Sequence, residues 1–583
     1  MESAAKRFFI RAGELDLGVA LAARSQVFGR GASVAGSNQE SNVPIPPTEE
    51  FLQRGYGMSS TDRGWSTGNQ GVNLAGGIAA MAAAAAAAEA AEAEAEAEIN
   101  TPGQRVKRCT GSAMAAAVSL LAGCQPDGGA RLVAFFGPAV GGSGAIVDSA
   151  EGSTTRGHAD LISKKSSLAN AAIEHYTALA KRARDRGHAI DIVAASLDET
   201  GLYEMRHAVE LTGGNALQAE TFGAPHLTKS LERLYSRRSE GKGVNLGFSG
   251  LANLRTMGND CESIQPVGRG ASEEDVSISE SVGGMRTFEW PVGSLTPHSS
   301  LAVLLKPSRG RAQGAQGPQI LQLSVMHRSS MGRRLCRVTT FAVPRLAPSA
   351  RAPELLAALD QQAAAALLVR MAVARADESV PPADVLRWID RLLIGMMRKL
   401  CRFEKGRPGS VMLPPPIAQL PGIVYNLRRS AAIRTSGSSP DRTAFFRHLA
   451  SSLDVFSTLV LVQPTLLGYQ LQDPPTPLQL DANALQPERL LLLDSFTQLI
   501  LCRGAAAANW IRQGDHPAAA ELKALSNRVK SQMDKLDDGR FPAPEQIECD
   551  QYGSKARYLM QKVHQDVPLS SFLGGLYSAI VEK

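Results

Sequence analysis

Residue types able to do chemistry occur along the whole chain, but their spacings do not assemble a catalytic centre. Gly247-Phe-Ser249-Gly-Leu251 comes within one residue of a nucleophile elbow and lacks its closing glycine. Gly241-Lys-Gly243 does not sit between a strand and a helix, as a dinucleotide fingerprint must. A phosphate-binding loop of the Walker type is missing, so the chain is not expected to hydrolyse a nucleotide by itself. The ten histidines are isolated, and the seven cysteines form no CxxC pair and no zinc-spaced cluster. Thiols so scattered, and odd in number, read as reduced cytosolic cysteines rather than a disulfide framework.

The elements around these residues suggest several domains. The 583 residues are 44% apolar and 20% charged, an ordinary globular balance. Residues 1–102 read as a divergent leader with the Ala/Glu tract Ala79–Glu98, an exposed helix or a disordered insertion rather than core. From 103 to 238 the strand Ala130–Phe136, the helical pattern Ser166–Arg186 and the strand Ile190–Ala195 argue a parallel α/β sheet. Between 239 and 345 the helical period vanishes, and short β runs between Gly, Ser and Pro clusters read as a β-sandwich or barrel. From 346 to 453 helices return, with a clean amphipathic stripe over Asp384–Leu400. The 454–583 segment reads as α+β, with a β run over Leu459–Leu471 and helices at 487–503, 517–536 and 554–563. Apolar runs such as Thr458–Val462 fall far short of the roughly 20 residues of a membrane span. The chain is therefore expected to be soluble and cytosolic.

The net charge of +6 is uneven. Between Arg398 and Arg447 stand ten Lys or Arg against Glu404 and Asp441, a local excess of +8. Aromatics lie near these cations, but no recognition motif accompanies them, and no nucleic acid is expected. The segment is either a solvated helical face or a basic surface for an acidic partner.

Whole segments carry a further signal. Arg108-Cys-Thr-Gly111, Gly129–Pro138, Gly187-His-Ala-Ile-Asp-Ile, Leu197-Asp-Glu-Thr-Gly-Leu-Tyr-Glu-Met205 and Leu211-Thr-Gly-Gly214 occur in that order. Asp384–Arg391, Ser439-Pro-Asp441, Phe446-Arg-His448, Glu488–Asp494 and Gly553-Ser-Lys-Ala-Arg557 follow. This collinear set resembles the GTPase-activating inner-coat subunit of the COPII vesicle coat, the Sec twenty-three family, over roughly residues 103–583. The resemblance implies a partial trunk similar to a von Willebrand A domain, a β-barrel or sandwich, a helical domain and a C-terminal gelsolin-like domain. It also implies that no catalysis is intrinsic to the chain. Its partners would be a Sar-type small GTPase, the cargo-adaptor subunit, the outer-cage subunits and an acidic membrane surface. The location would be cytoplasmic and peripheral, on the endoplasmic reticulum membrane and COPII vesicles. The family's zinc finger, two CxxC pairs, and its first barrel strand have no counterpart here, so no cofactor is expected in this chain.

The same resemblance places an arginine finger at Arg557, delivered in trans to the GTPase site. An arginine in a terminal helix is ordinarily a solvated surface residue, and the surrounding motif is what singles this one out. Arg540 reads as structural. Arg398, Lys399, Arg402, Lys405, Arg407, Arg428, Arg429 and Arg434 become candidates for a surface facing membrane or GTPase. The alternative is a non-catalytic coat or scaffold paralogue that binds partners without stimulating hydrolysis.

Overall fold

The computed structural model describes residues 19–23, 109–125, 129–137, 157–162, 166–236, 243–256, 261–268, 273–280, 285–308, 318–343, 351–377, 380–514 and 516–582. The Ala79–Glu98 tract, read as an exposed helix or a disordered insertion, lies outside them.

Strand β1 is Val19–Ala23, antiparallel to β9 below. The trunk sheet follows: β2 (Arg131–Phe136), β3 (Ala189–Ala195) and β4 (Ala216–Ala219), all parallel in the order β2-β3-β4. Every residue of β3 is buried, as a strand between two covering layers requires, with Asp191 the one polar side chain among apolar ones. Helices Thr110–Cys124, Ser167–Asp185, Leu202–Thr212 and Pro225–Leu234 surround this sheet. Gly213 ends Leu202–Thr212 at φ 69°, and a Cβ on Gly214 would sit 1.7 Å from the Ile190 carbonyl oxygen. Only paired glycines fit this close turn onto β3.

The middle segment is a sandwich. One sheet runs β11-β10-β5-β8-β7, where β5 is Gly247–Thr256, β7 Ser277–Glu280, β8 Arg286–Leu295, β10 Gln319–Ser329 and β11 Arg334–Val343. The other runs β1-β9-β6, with β6 Cys261–Pro266 and β9 Leu301–Pro307. Phe288, Trp290 and Leu321 meet Ile264, Val303 and Leu305 in one core between the sheets. β1, which falls within the stretch read as leader, is thus an edge strand of this second sheet, and its Val-Ala-Leu-Ala-Ala sequence carries no turn signals and little β signature.

Helices Gln361–Asp377, Pro382–Leu400, Leu420–Arg429, Pro440–Ser452 and Val455–Val462 form the helical region, and its core is continuous with that of the trunk. Among the described residues no single helix is long and apolar enough to cross a membrane.

The C-terminal sheet has the order β13-β12-β14-β15-β16: β12 is Thr465–Tyr469, β13 Thr476–Leu478, β14 Leu490–Asp494, β15 Gln498–Arg503 and β16 Glu545–Asp550. Helix Ala519–Asp537 packs on one face and Arg557–Val563 on the other. The last helix, Leu569–Val581, leaves this sheet and buries Leu576, Ile580 and Val581 with the helical region.

Two expectations fail in this region. Residues 455–462 are helical, because Asp454 caps the segment by accepting the Ser457 N–H at 3.0 Å, and the strand is confined to 465–469. Residues 487–503 hold two strands rather than a helix. β14 is buried along its whole length, so its leucines show no alternation to distinguish strand from helix.

Candidate functional site

Strand β16 delivers the chain to Arg557, and several contacts fix its end. Arg503 Nε and Arg512 Nη2 donate to opposite oxygens of Asp550 at 2.7 and 3.0 Å. Gln551 donates its N–H to the Arg503 carbonyl at 2.8 Å, and its side-chain oxygen accepts the Ala505 N–H at 3.0 Å. A turn of 3₁₀ helix, Ser554–Ala556, then leads into Arg557–Val563. Ala556 and Leu559 are buried with Ile547 and Cys549, which anchors the first turn beneath the arginine.

Arg557 itself points into solvent. Its Nη2 donates to the Tyr558 hydroxyl at 3.0 Å, and its Cζ lies 4.9 Å from the centre of that ring. The guanidinium forms no ion pair among the described residues. The Tyr558 hydrogen bond is the main cause holding it above its ordinary pKa, with the field of Glu220, from the trunk side, a minor contribution. Tyr552, 83% exposed, stands on the turn beside it. A charged fork on a short, well-anchored helix can be presented to another molecule without first breaking a salt bridge.

Arg540 is held differently. Its two terminal nitrogens grip both oxygens of Asp494 at 2.7 and 2.8 Å, and both side chains are largely buried. Arg233 of the trunk reaches the Arg540 carbonyl at 2.7 Å and Asp537 at 2.9 Å, while Lys229 meets Asp537 at 3.0 Å. This node docks the C-terminal sheet and its helices onto the trunk helix Pro225–Leu234.

The eight basic candidates do not form one free surface. Arg398 donates to the Ala579 and Ile580 carbonyls, capping the end of the last helix. Arg428 pairs with Asp390, Arg429 with the His564 carbonyl, and Arg434 with Asp566. Half of the cluster is therefore spent inside the molecule: Arg398, Arg429 and Arg434 join the helical region to residues 564–581, and Arg428 bridges two helices of that region. Arg407 pairs with Glu404 at 2.7 Å on the surface. Arg402 and Lys405 are exposed, and Lys399 has a partner. An expectation built on charge count could not separate bridging cations from solvated ones.

Two buried carboxylates organise the rest. Asp191 on β3 meets Arg131 on β2 at 3.3 Å, accepts the Tyr235 hydroxyl at 2.6 Å and accepts the Asn215 N–H at 2.6 Å. Burial and this carboxylate drive the Tyr235 hydroxyl well above its ordinary pKa, keeping it a donor. Asp441 performs the same service between trunk and helical region, accepting from Thr200, Gly201 and Tyr203. Both lie within segments that carry the family resemblance, but their partners are far away in the chain. Among the described residues no group of three or more His, Cys, Asp or Glu could hold a metal ion.

Comparison with known proteins agrees with this architecture. Residues 96–238 match the family model of the Sec23/Sec24 trunk domain, and residues 360–460 that of the Sec23/Sec24 helical domain. The crystal structure of the human COPII-coat protein Sec24c is similar in fold, with a TM-score of 0.63 at 16% identity. That likeness covers 82% of this chain and 62% of the human one, so the chain spans less than two thirds of its relative's length. With its trunk and helical domains each matched, the chain belongs to the Sec23/Sec24 family.

Proposed function

We propose that this chain is the GTPase-activating kind of inner-coat subunit, acting in trans on a Sar-type small GTPase during transport from endoplasmic reticulum to Golgi. The observation that carries this reading is Arg557, an exposed guanidinium without an ion pair on a firmly seated helix. Phosphoryl transfer spreads negative charge over the transferring group and the leaving oxygen. A forked cation inserted from outside stabilises that charge and helps exclude water, an effect of about 10³–10⁵ in rate. The chain contributes charge and position, and the GTPase contributes the nucleotide site. In this reading the C-terminal sheet and its helices are the gelsolin-like domain, and the trunk pairs with the cargo-adaptor subunit. Outer-cage subunits then assemble on the pair, at the cytoplasmic face of the membrane. The chain itself needs no cofactor.

A second reading is a cargo adaptor or a scaffold that binds coat partners without stimulating hydrolysis. Its support is the likeness of fold to the human Sec24c structure. GTP hydrolysis by the GTPase, followed with and without this chain and with Arg557→Ala, separates the two. Stimulation that depends on Arg557 supports the first, and binding without stimulation supports the second.

A further inference from the structure

The C-terminal end of the Arg557–Val563 helix carries a second arrangement of cations, unconnected with the exposed arginine. Lys562 is half-buried, with its Nζ 5.8 Å from the centre of the Phe446 ring. The Arg442 Cζ, from helix Pro440–Ser452, also lies 5.8 Å from the centre of that ring. Arg429, at the end of helix Leu420–Arg429, reaches the carbonyl of His564, two residues beyond Lys562. Two cations thus share the Phe446 ring, and Arg429, stacked over Tyr425 with its Cζ 5.1 Å from that ring centre, adds a third from a third element.

Among the described residues no carboxylate pairs with Lys562 or Arg442. Neither Lys562 nor the Arg442 guanidinium has a hydrogen-bond or ion-pair partner among the described residues. The acids on the same elements are engaged elsewhere: Asp441 by Thr200, Gly201 and Tyr203, and Asp566 by Arg434, with His564 at 3.6 Å. Burial, and then the fields of Arg442 and Arg429, lower the Lys562 ammonium to about 8. Charge gathered and half-desolvated without a counter-ion costs stability unless an anion arrives to neutralise it.

We propose that Lys562, Arg442 and Arg429 form a binding site for a phosphate group. A phosphate dianion has enough charge and enough oxygens to engage an ammonium and two forks together, whereas a single carboxylate would leave most of the cluster uncompensated. The phosphate is carried either by a soluble ion or by a lipid headgroup. Occupancy would brace the far end of the helix that begins at Arg557.

The test uses the full chain and three variants: Lys562→Met, Arg442→Gln and the charge-preserving Lys562→Arg. Thermal unfolding is followed against inorganic phosphate at constant ionic strength, and flotation against neutral vesicles with or without phosphatidylinositol phosphate. The wild-type midpoint should rise with phosphate, and apparent affinity should fall about tenfold or more in Lys562→Met and Arg442→Gln. Lys562→Arg should retain most of the response. A response to inorganic phosphate without flotation identifies a soluble ligand. Flotation that needs both the phosphoinositide and Lys562 identifies a headgroup. Lys562→Met has no reason to misfold, since it removes an unbalanced charge, and its midpoint without phosphate should match or exceed wild type. An equal phosphate response in wild type, Lys562→Met and Arg442→Gln overturns the proposal.

Discussion

Asp441 accepts both the backbone N–H and the Oγ1–H of Thr200, at 2.6 and 2.9 Å, across 241 residues of chain. Its carboxylate also takes the N–H groups of Gly201 and Tyr203 at 2.9 and 3.1 Å. One buried side chain thus satisfies the start of helix Leu202–Thr212 and ties the trunk to the helical region. Asp441→Ala would leave these donors unpaired in the interior and should cost about 3–5 kcal/mol. Asp441→Asn should cost less, since one amide oxygen still accepts. Urea unfolding of both variants measures the difference.

Arg540 and Arg557 should separate stability from activity. Arg540→Ala strands the largely buried Asp494 carboxylate and should lower stability by about 3–5 kcal/mol. Arg557→Ala removes an exposed side chain and should leave the unfolding midpoint close to that of wild type. Calorimetry beside a GTPase assay distinguishes the two.

Lys562 makes stability depend on pH with a definite sign. Its ordinary value of 10.5 falls to about 8 in the folded protein. Below pH 8 the lysine is charged in both states, and its unbalanced burial destabilises the fold in full. Between about pH 8 and 10.5 the unfolded chain holds a proton that the folded chain has released, so this contribution grows more favourable as pH rises. The charged and titratable groups around Lys562 are Arg442, Arg429 and the Arg434–Asp566 pair with His564 beside it. In phosphate-free buffer Lys562→Met should therefore gain most over wild type near pH 7, and the gain should shrink toward pH 10.5. Urea midpoints across that range would show it.

The basic segment should divide into two classes of variant. Arg428→Gln with Arg434→Gln breaks the Asp390 and Asp566 pairs and should loosen the docking of residues 564–581, read as faster amide exchange there. Arg402→Gln with Lys405→Gln touches only exposed cations. If that face meets an acidic bilayer, it should weaken binding to anionic vesicles by about 1 kcal/mol per charge. Unchanged cosedimentation would remove the membrane reading of these residues.

Much of the trunk was legible because its signals are local. The apolar run before Gly137-Pro138 and the buried strand after Gly187 each declare themselves within a few residues. Leu490–Arg503 was misread because strands buried on both faces lose their alternation, and Val455–Val462 because a short apolar run is ambiguous until its Asp454 cap is noticed. The site divided along the same line. Arg557 was singled out by the motif around it, and the structure places it exposed at the start of a short helix. The fates of Arg398, Arg428, Arg429 and Arg434 depend on residues more than 130 positions away or on a neighbouring helix, which composition cannot show.

The central claim is most directly tested by single-turnover GTP hydrolysis on the Sar-type GTPase, with saturating amounts of this chain or its Arg557→Ala variant. The account predicts strong stimulation by the intact chain. Arg557→Ala should lose about 10³-fold or more of that rate while binding the GTPase nearly as well. Absence of stimulation by the intact chain, or equal stimulation by Arg557→Ala, would contradict it.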